Sequence, residues 1–89
     1  EMETATPHLL PDIFAAEIAY IAGETALVAG HSERSVIYLN MAVAGNPTVA
    51  RIHGMRAAAL WLAGHHEEAS NAARRSQQLD PPYTPELMA

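Results

Sequence analysis

The chain has 89 residues, so it holds one domain at most. Its formal net charge is -5, with five Arg and no Lys, so it lacks the basic face that grips nucleic acid. It has no Cys, which excludes disulfides and thiolate metal sites, and no apolar run as long as a membrane span. Ala is the commonest residue, with 18 copies, and β-branched residues are few. Ala favours helix and lets helices approach closely, so an all-α chain is expected. Residues 1–7 have neither the charged nor the apolar region of a signal peptide, so a cytoplasmic location is expected.

Residues 1–11 hold Pro7 and Pro11 and little periodic pattern, so they read as an N-terminal arm. Asp12 is placed to cap a first helix running to about Ala29. Its apolar residues Ile13, Phe14, Ile18, Ile21, Ala22 and Val28 recur at helical spacing. Gly30 is suited to stop it in the left-handed conformation. Ser32 is placed to cap a second helix over about 33–44, which Gly45-Asn46-Pro47 breaks. Thr48 is placed to cap a third, running to Ala63 and stopped by Gly64. A fourth spans about 67–79 and ends before Pro81-Pro82. The short loops imply antiparallel neighbours. Thr84-Pro85-Glu86, a capping residue followed by Pro, reads as one more helix start over residues 82–89. It either opens a third repeat or caps the stack.

The chain repeats itself with a period of 34 residues. Asn46-Pro47 recurs as Asp80-Pro81, and Ala29-Gly30-His31 with Glu33 recurs as Ala63-Gly64-His65 with Glu67. Ala16 and Ile18 recur as Ala50 and Ile52. Such a period marks a solenoid, in which each unit buries its apolar face only against its neighbour.

The second unit, residues 50–81, resembles a tetratricopeptide repeat. The residues that carry the resemblance are Ala57, Leu60, Gly64, the run Glu67-Glu68-Ala69, Ser76 and Leu79-Asp80-Pro81. The first unit, residues 16–47, is similar but degraded, keeping Gly23, Gly30, Ala42 and Pro47 and placing Ser35 where the family prefers Ala. The resemblance covers about three quarters of the chain, residues 12–81, and implies two antiparallel helical hairpins stacked as a short right-handed α-solenoid. His53, Arg56, Ser32 and His66 depart from it, standing where the family is usually apolar, and are expected to weaken the core.

The resemblance also implies a concave groove lined by the first helix of each repeat. The groove residues are then Glu17, Tyr20, Glu24, Leu27 and Val28 from the first repeat, and Arg51, Gly54, Ala58, Trp61 and Leu62 from the second. Such a face suits a short peptide or helix, with Tyr20 and Trp61 as anchors. The competing expectation, which the sequence favours for Trp61, is burial at the repeat junction. Some repeats of this family clamp a C-terminal carboxylate with Lys, Arg and Asn. Here Glu17, Tyr20, Glu24, Met55 and Ala58 hold the matching positions, with Arg51 the one basic group, so no clamp is expected.

The second helix is apolar on nearly every side, with Asn40 its clearly polar residue, whereas its counterpart Ser70–Gln78 is amphipathic. Ile37, Met41 and Ala44 around Asn40, together with Val36, are expected to form a self-association or partner surface. The alternative is that the arm, with Leu9, Leu10 and Phe14, folds over them.

Reactive chemistry is not expected. Adjacent His65 and His66 point to different sides of a helix or turn, and a helical zinc motif needs ligands four apart. No Ser-His-Asp set, phosphate loop or close carboxylate pair is present. Arg74 and Arg75 are expected to pair with Glu67 and Glu68 on the surface. The expected function is therefore protein–protein interaction, as scaffold, adaptor or binding chaperone, with a protein or peptide partner, no cofactor and no metal. A small acidic secretion-system chaperone is one version. A helical oligomerisation module with no peptide ligand is the second class. An enzyme is the third.

Overall fold

Two glycines turn the chain back on itself, one in each helical hairpin. The computed structural model describes the backbone of residues 9–81 and the side chains from Phe14 onward. Four helices run α1 (Leu9–Val28), α2 (Ser32–Gly45), α3 (Ala50–Leu62) and α4 (His66–Leu79), with no strand among the described residues. Gly30 and Gly64 adopt φ of 86° and 92°, the left-handed region that a Cβ penalises. Each closes its helix in the same way. Gly30 N–H donates to Leu27 O and His31 N–H to Ala26 O; Gly64 N–H donates to Trp61 O and His65 N–H to Leu60 O. This pair of bonds satisfies the last carbonyls of the helix and turns the chain back.

The 34-residue period is thus a period of backbone geometry. Helices α2 and α4 have 14 residues each and start 34 apart. The residues before them, His31 and His65, have φ/ψ of -99°/70° and -95°/71°. Those after them, Asn46 and Asp80, have -151°/76° and -146°/85°, and each donates its N–H to the carbonyl four residues back. Helix α1 packs on α2, α2 on α3 and α3 on α4, with a smaller contact between α1 and α3. The arrangement is two helical hairpins laid side by side.

Helix starts differ from the sequence expectation. Helix α1 begins at Leu9, so residues 9–11 of the expected arm are its first residues. Pro11 fits there because first-turn N–H groups have no intrahelical acceptor. Asp12 therefore lies inside the helix. Neither Ser32 nor Thr48 caps: the flanking residues are His31 and Val49, without a side-chain cap bond. Residues 1–8 and 82–89, with the expected Thr84-Pro85-Glu86 helix start, lie outside the described residues.

The core is built from small residues. Helix α1 turns Ala16, Ala19, Gly23 and Ala26 inward, and its large apolar residues Phe14, Ile18, Ile21 and Val28 are exposed. The close fit centres on Gly23, where a Cβ would stand 2.6 Å from Leu39 Cγ. Leu39 is wholly buried, and the buried Ser35 Oγ donates to Gly23 O at 2.7 Å beside it. A second group joins Ala19 of α1, Ala42 of α2 and Ile52 of α3.

Two polar residues at expected apolar sites, His53 and Arg56, are hydrogen-bonded, as is Ser76, which stands where a small residue is expected. His53 is buried and its Nε2 donates to Pro47 O at 2.7 Å, tying α3 to the loop before it. Arg56 Nε donates to Asn40 Oδ1 at 2.6 Å, joining α3 to α2. Ser76 Oγ donates to Ala50 O at 2.9 Å, joining α4 to α3. No buried side-chain polar atom among the described residues lacks a partner. These bonds join α3 to the loop before it, to α2 and to α4.

Gly23→Ala is expected to lower stability by about 1–2 kcal/mol, overpacking against Leu39 outweighing the helix preference of Ala. Urea unfolding followed by circular dichroism checks this, and Leu39→Ala in the same chain should recover part of the Gly23→Ala loss through coupling of touching residues.

Candidate functional site

The first helices of the two hairpins carry the expected groove residues. On α1, Glu17, Tyr20, Glu24, Leu27 and Val28 fall within about 100° of arc at 100° per residue, as do Arg51, Gly54, Ala58, Trp61 and Leu62 on α3. One contact cluster joins the two strips. Arg51 reaches Glu17 Oε2 at 3.4 Å, and its guanidinium stands 5.0 Å from the Tyr20 ring centroid. The guanidinium is thus held between a carboxylate and a π face, both across the α1–α3 boundary. Glu17 and Arg51 are both more than half exposed, so this pair orients a surface rather than stabilising the fold. Tyr20 and Leu27 are half-buried, Leu27 against the core, whereas Glu24, Ala58 and Leu62 are exposed.

Trp61 corrects the expectation of burial. It is 55% exposed. Its ring stacks on His66 with centroids 3.9 Å apart and planes 25° apart. His66, the first residue of α4, thus holds the indole in place without covering it. The reason is its place on α3. Leu60, one residue earlier, takes the inward position and is 2% exposed, leaving Trp61 a quarter turn away on the open side. Trp61 and the Tyr20–Arg51 cluster stand at opposite ends of α3, about 15 Å apart along its axis.

The expected surface on α2 is only partly present. Val36 is a core residue, packed with Leu39, Ala59 and Leu60, and is no part of an outer surface. Asn40 is engaged by Arg56. Ile37, Met41 and Ala44 are exposed as expected. Of the expected arm, Leu9 and Leu10 belong to α1 and Phe14 is itself 69% exposed, while residues 1–8 lie outside the described residues. Shallow depressions flank this strip, one lined by Ala15, Ala16, Met41, Ala44 and Gly45, the other by residues 30–34 and Ile37.

Sequence reasoning missed the stripe on α1, where Ile18 and Ile21 are 54% and 53% exposed. Their helical spacing is visible in the sequence, but spacing does not say which side of a helix faces inward. The expected pairing of Arg74 and Arg75 with Glu67 and Glu68 is also replaced. Arg74 donates to Asn71 Oδ1 and Arg75 to Gln78 Oε1, while His65 donates to Glu33 at 3.2 Å and lies 3.9 Å from Glu68. The His65–Glu33 contact links the two turns. No group of three His, Cys, Asp or Glu residues is placed to hold a metal ion among the described residues. No described helix is long and apolar enough to cross a membrane. No protein-family model, curated protein or solved structure matches the chain.

Trp61 is expected to emit like a solvated indole and to be quenched efficiently by acrylamide in the native state, with His66→Ala raising the quenching further; fluorescence titration checks both. Arg51→Ala is expected to change unfolding free energy by less than about 0.5 kcal/mol, because both members of its ion pair are exposed.

Proposed function

We propose that this chain is a short tetratricopeptide-like module for protein–protein interaction, binding an extended peptide or a helix of a partner across α1 and α3. The observation that carries the reading is the state of Trp61: a large aromatic left more than half exposed, yet fixed by stacking on His66. Aromatic side chains held open in this way enter a partner's surface at little further cost in order. The Tyr20–Arg51–Glu17 cluster adds an aromatic face and a positive charge about three turns of α3 away. Between them lies exposed Ala58, a small residue that lets a ligand backbone come close, whereas the Cβ position of Gly54 is 3.3 Å from Ser76 Oγ of α4.

The ligand that fits has an apolar or aromatic anchor for Trp61 and an acidic or hydrogen-bonding group for Arg51. Scaffold, adaptor and binding chaperone are the roles that such a surface serves.

Selection from a random peptide phage library on the immobilised chain tests the reading. Enriched peptides are expected to bind at least about tenfold more weakly to Trp61→Ala and to Tyr20→Ala, a loss of about 1.4 kcal/mol or more. Ile37→Asp, on α2, should leave their affinity unchanged. Peptides that bind both groove variants as well as the parent would exclude this face as the site.

A further inference from the structure

Of the eight large apolar side chains exposed among the described residues, four lie on α1: Phe14, Ile18, Ile21 and Val28. With Thr25 they occupy positions i, i+4, i+7, i+11 and i+14. They form one uncharged stripe about 21 Å long and about 80° wide.

The repeat shows what such a face is built to meet. By the 34-residue register, Ile18, Ile21 and Thr25 correspond to Ile52, Met55 and Ala59 on α3. Ile52 is 1% exposed and Ala59 is fully buried. What lies on them is α2: Ile52 packs with Ala42 and Val43, and Ala59 and Met55 with Val36 and Leu39. Among the described residues, the same face of the first hairpin has no helix over it. It is the more apolar of the two, since Arg56, which bonds Asn40 of α2, is replaced by Ala22.

The chain itself limits what covers the stripe. A head-to-tail copy would offer α4, whose counterparts of Val36, Leu39 and Val43 are Ser70, Ala73 and Gln77, too polar to match. The inner face of α2 is already consumed by α3. The Ile37–Met41–Ala44 strip of α2 is half as long. Among the described residues, the longest uncharged helical face left to meet the stripe is the stripe of a second copy.

We infer that α1 is a self-association surface, pairing antiparallel with α1 of a second copy about a two-fold axis near Ile21. Phe14 then faces the partner's Val28, and Ile18 the partner's Thr25. The charges at its edge agree with this register. Glu24 makes no ion pair among the described residues, and it comes level with the partner's Glu17–Arg51 pair, giving Arg51 a second carboxylate. A two-fold contact uses the stripe on both copies and closes, so the assembly stops at a dimer. It leaves Trp61 free, and this inference does not depend on a groove ligand.

Sedimentation equilibrium of the full chain from about 10 μM to about 1 mM is expected to show monomer and dimer exchanging with concentration. Ile18→Glu, on the exposed stripe, should keep native helicity by circular dichroism and weaken the dimer at least about 30-fold. Because the chain has no native Cys, Ile21→Cys should give a disulfide-linked dimer on mild oxidation, and Ile37→Cys on α2 should not. A monomer at every concentration overturns the inference. So does a dimer that survives Ile18→Glu, or one trapped through Ile37→Cys and not Ile21→Cys.

Discussion

The rest of the structure depends on how Leu39 seats against Gly23. With no Cβ at Gly23, α2 comes close enough for Leu39 to be entirely buried and for Ser35 to reach the Gly23 carbonyl at 2.7 Å. That approach sets the rotation of α1 about its own axis. Once Gly23 faces α2, Ala16, Ala19 and Ala26 follow inward by helical spacing, and Phe14, Ile18 and Ile21 are carried to the opposite side. The hydroxyl of Ser35 then has one role, to hold the rotation against slippage, since a buried donor left without its acceptor costs about 1–3 kcal/mol.

This orientation has a cost. Fully burying a large apolar side chain is worth about 1.5–3 kcal/mol, so leaving three of them half exposed or more forgoes on the order of 3–4 kcal/mol. A small domain has only about 5–15 kcal/mol in total. The second hairpin solves the same problem internally, because α2 lies across Ile52, Met55 and Ala59. The stack therefore has unequal ends. At the α4 end, exposed Ser70, Asn71, Arg74 and Gln77 meet water. At the α1 end, isoleucines do. A surface apolar at one end and polar at the other favours closure through the apolar end over indefinite stacking. The proposed binding face meets the apolar end at Val28, which belongs to both.

Much of the backbone was legible in the sequence. The two glycines, the Asn46-Pro47 and Asp80-Pro81 breaks and the 34-residue period locate all four helices to within a few residues, because each reflects a local conformational rule. Helix starts were less legible. Ser32 and Thr48 are good capping types, yet the chain enters its helices through His31 and Val49, since tertiary packing sets where the first turn begins. Side-chain direction was the least legible property. The spacing of Ile18 and Ile21 identifies a helix, but Ala16, Ala19, Gly23 and Ala26 have the same spacing on the other face. Only the meeting of Gly23 with Leu39 decides between them. The same ambiguity hid the exposure of Trp61, whose size suggested a core residue while Leu60 beside it took the core position. Of the site, Glu17, Tyr20 and Arg51 were anticipated and are in contact; their ion pair and stacking across helices were not.

The inward turn of the small residues of α1 is the claim on which the proposed binding face and the apolar end both rest. Nuclear Overhauser contacts in isotope-labelled protein measure it most directly. The account predicts strong contacts between the Gly23 α-protons and the Leu39 methyls, and none within one chain from the Ile18 or Ile21 methyls to α2. Strong intrachain contacts from Ile18 and Ile21 to Leu39 or Ala42, with Gly23 silent, would mean that α1 is rotated by about half a turn and would contradict the account.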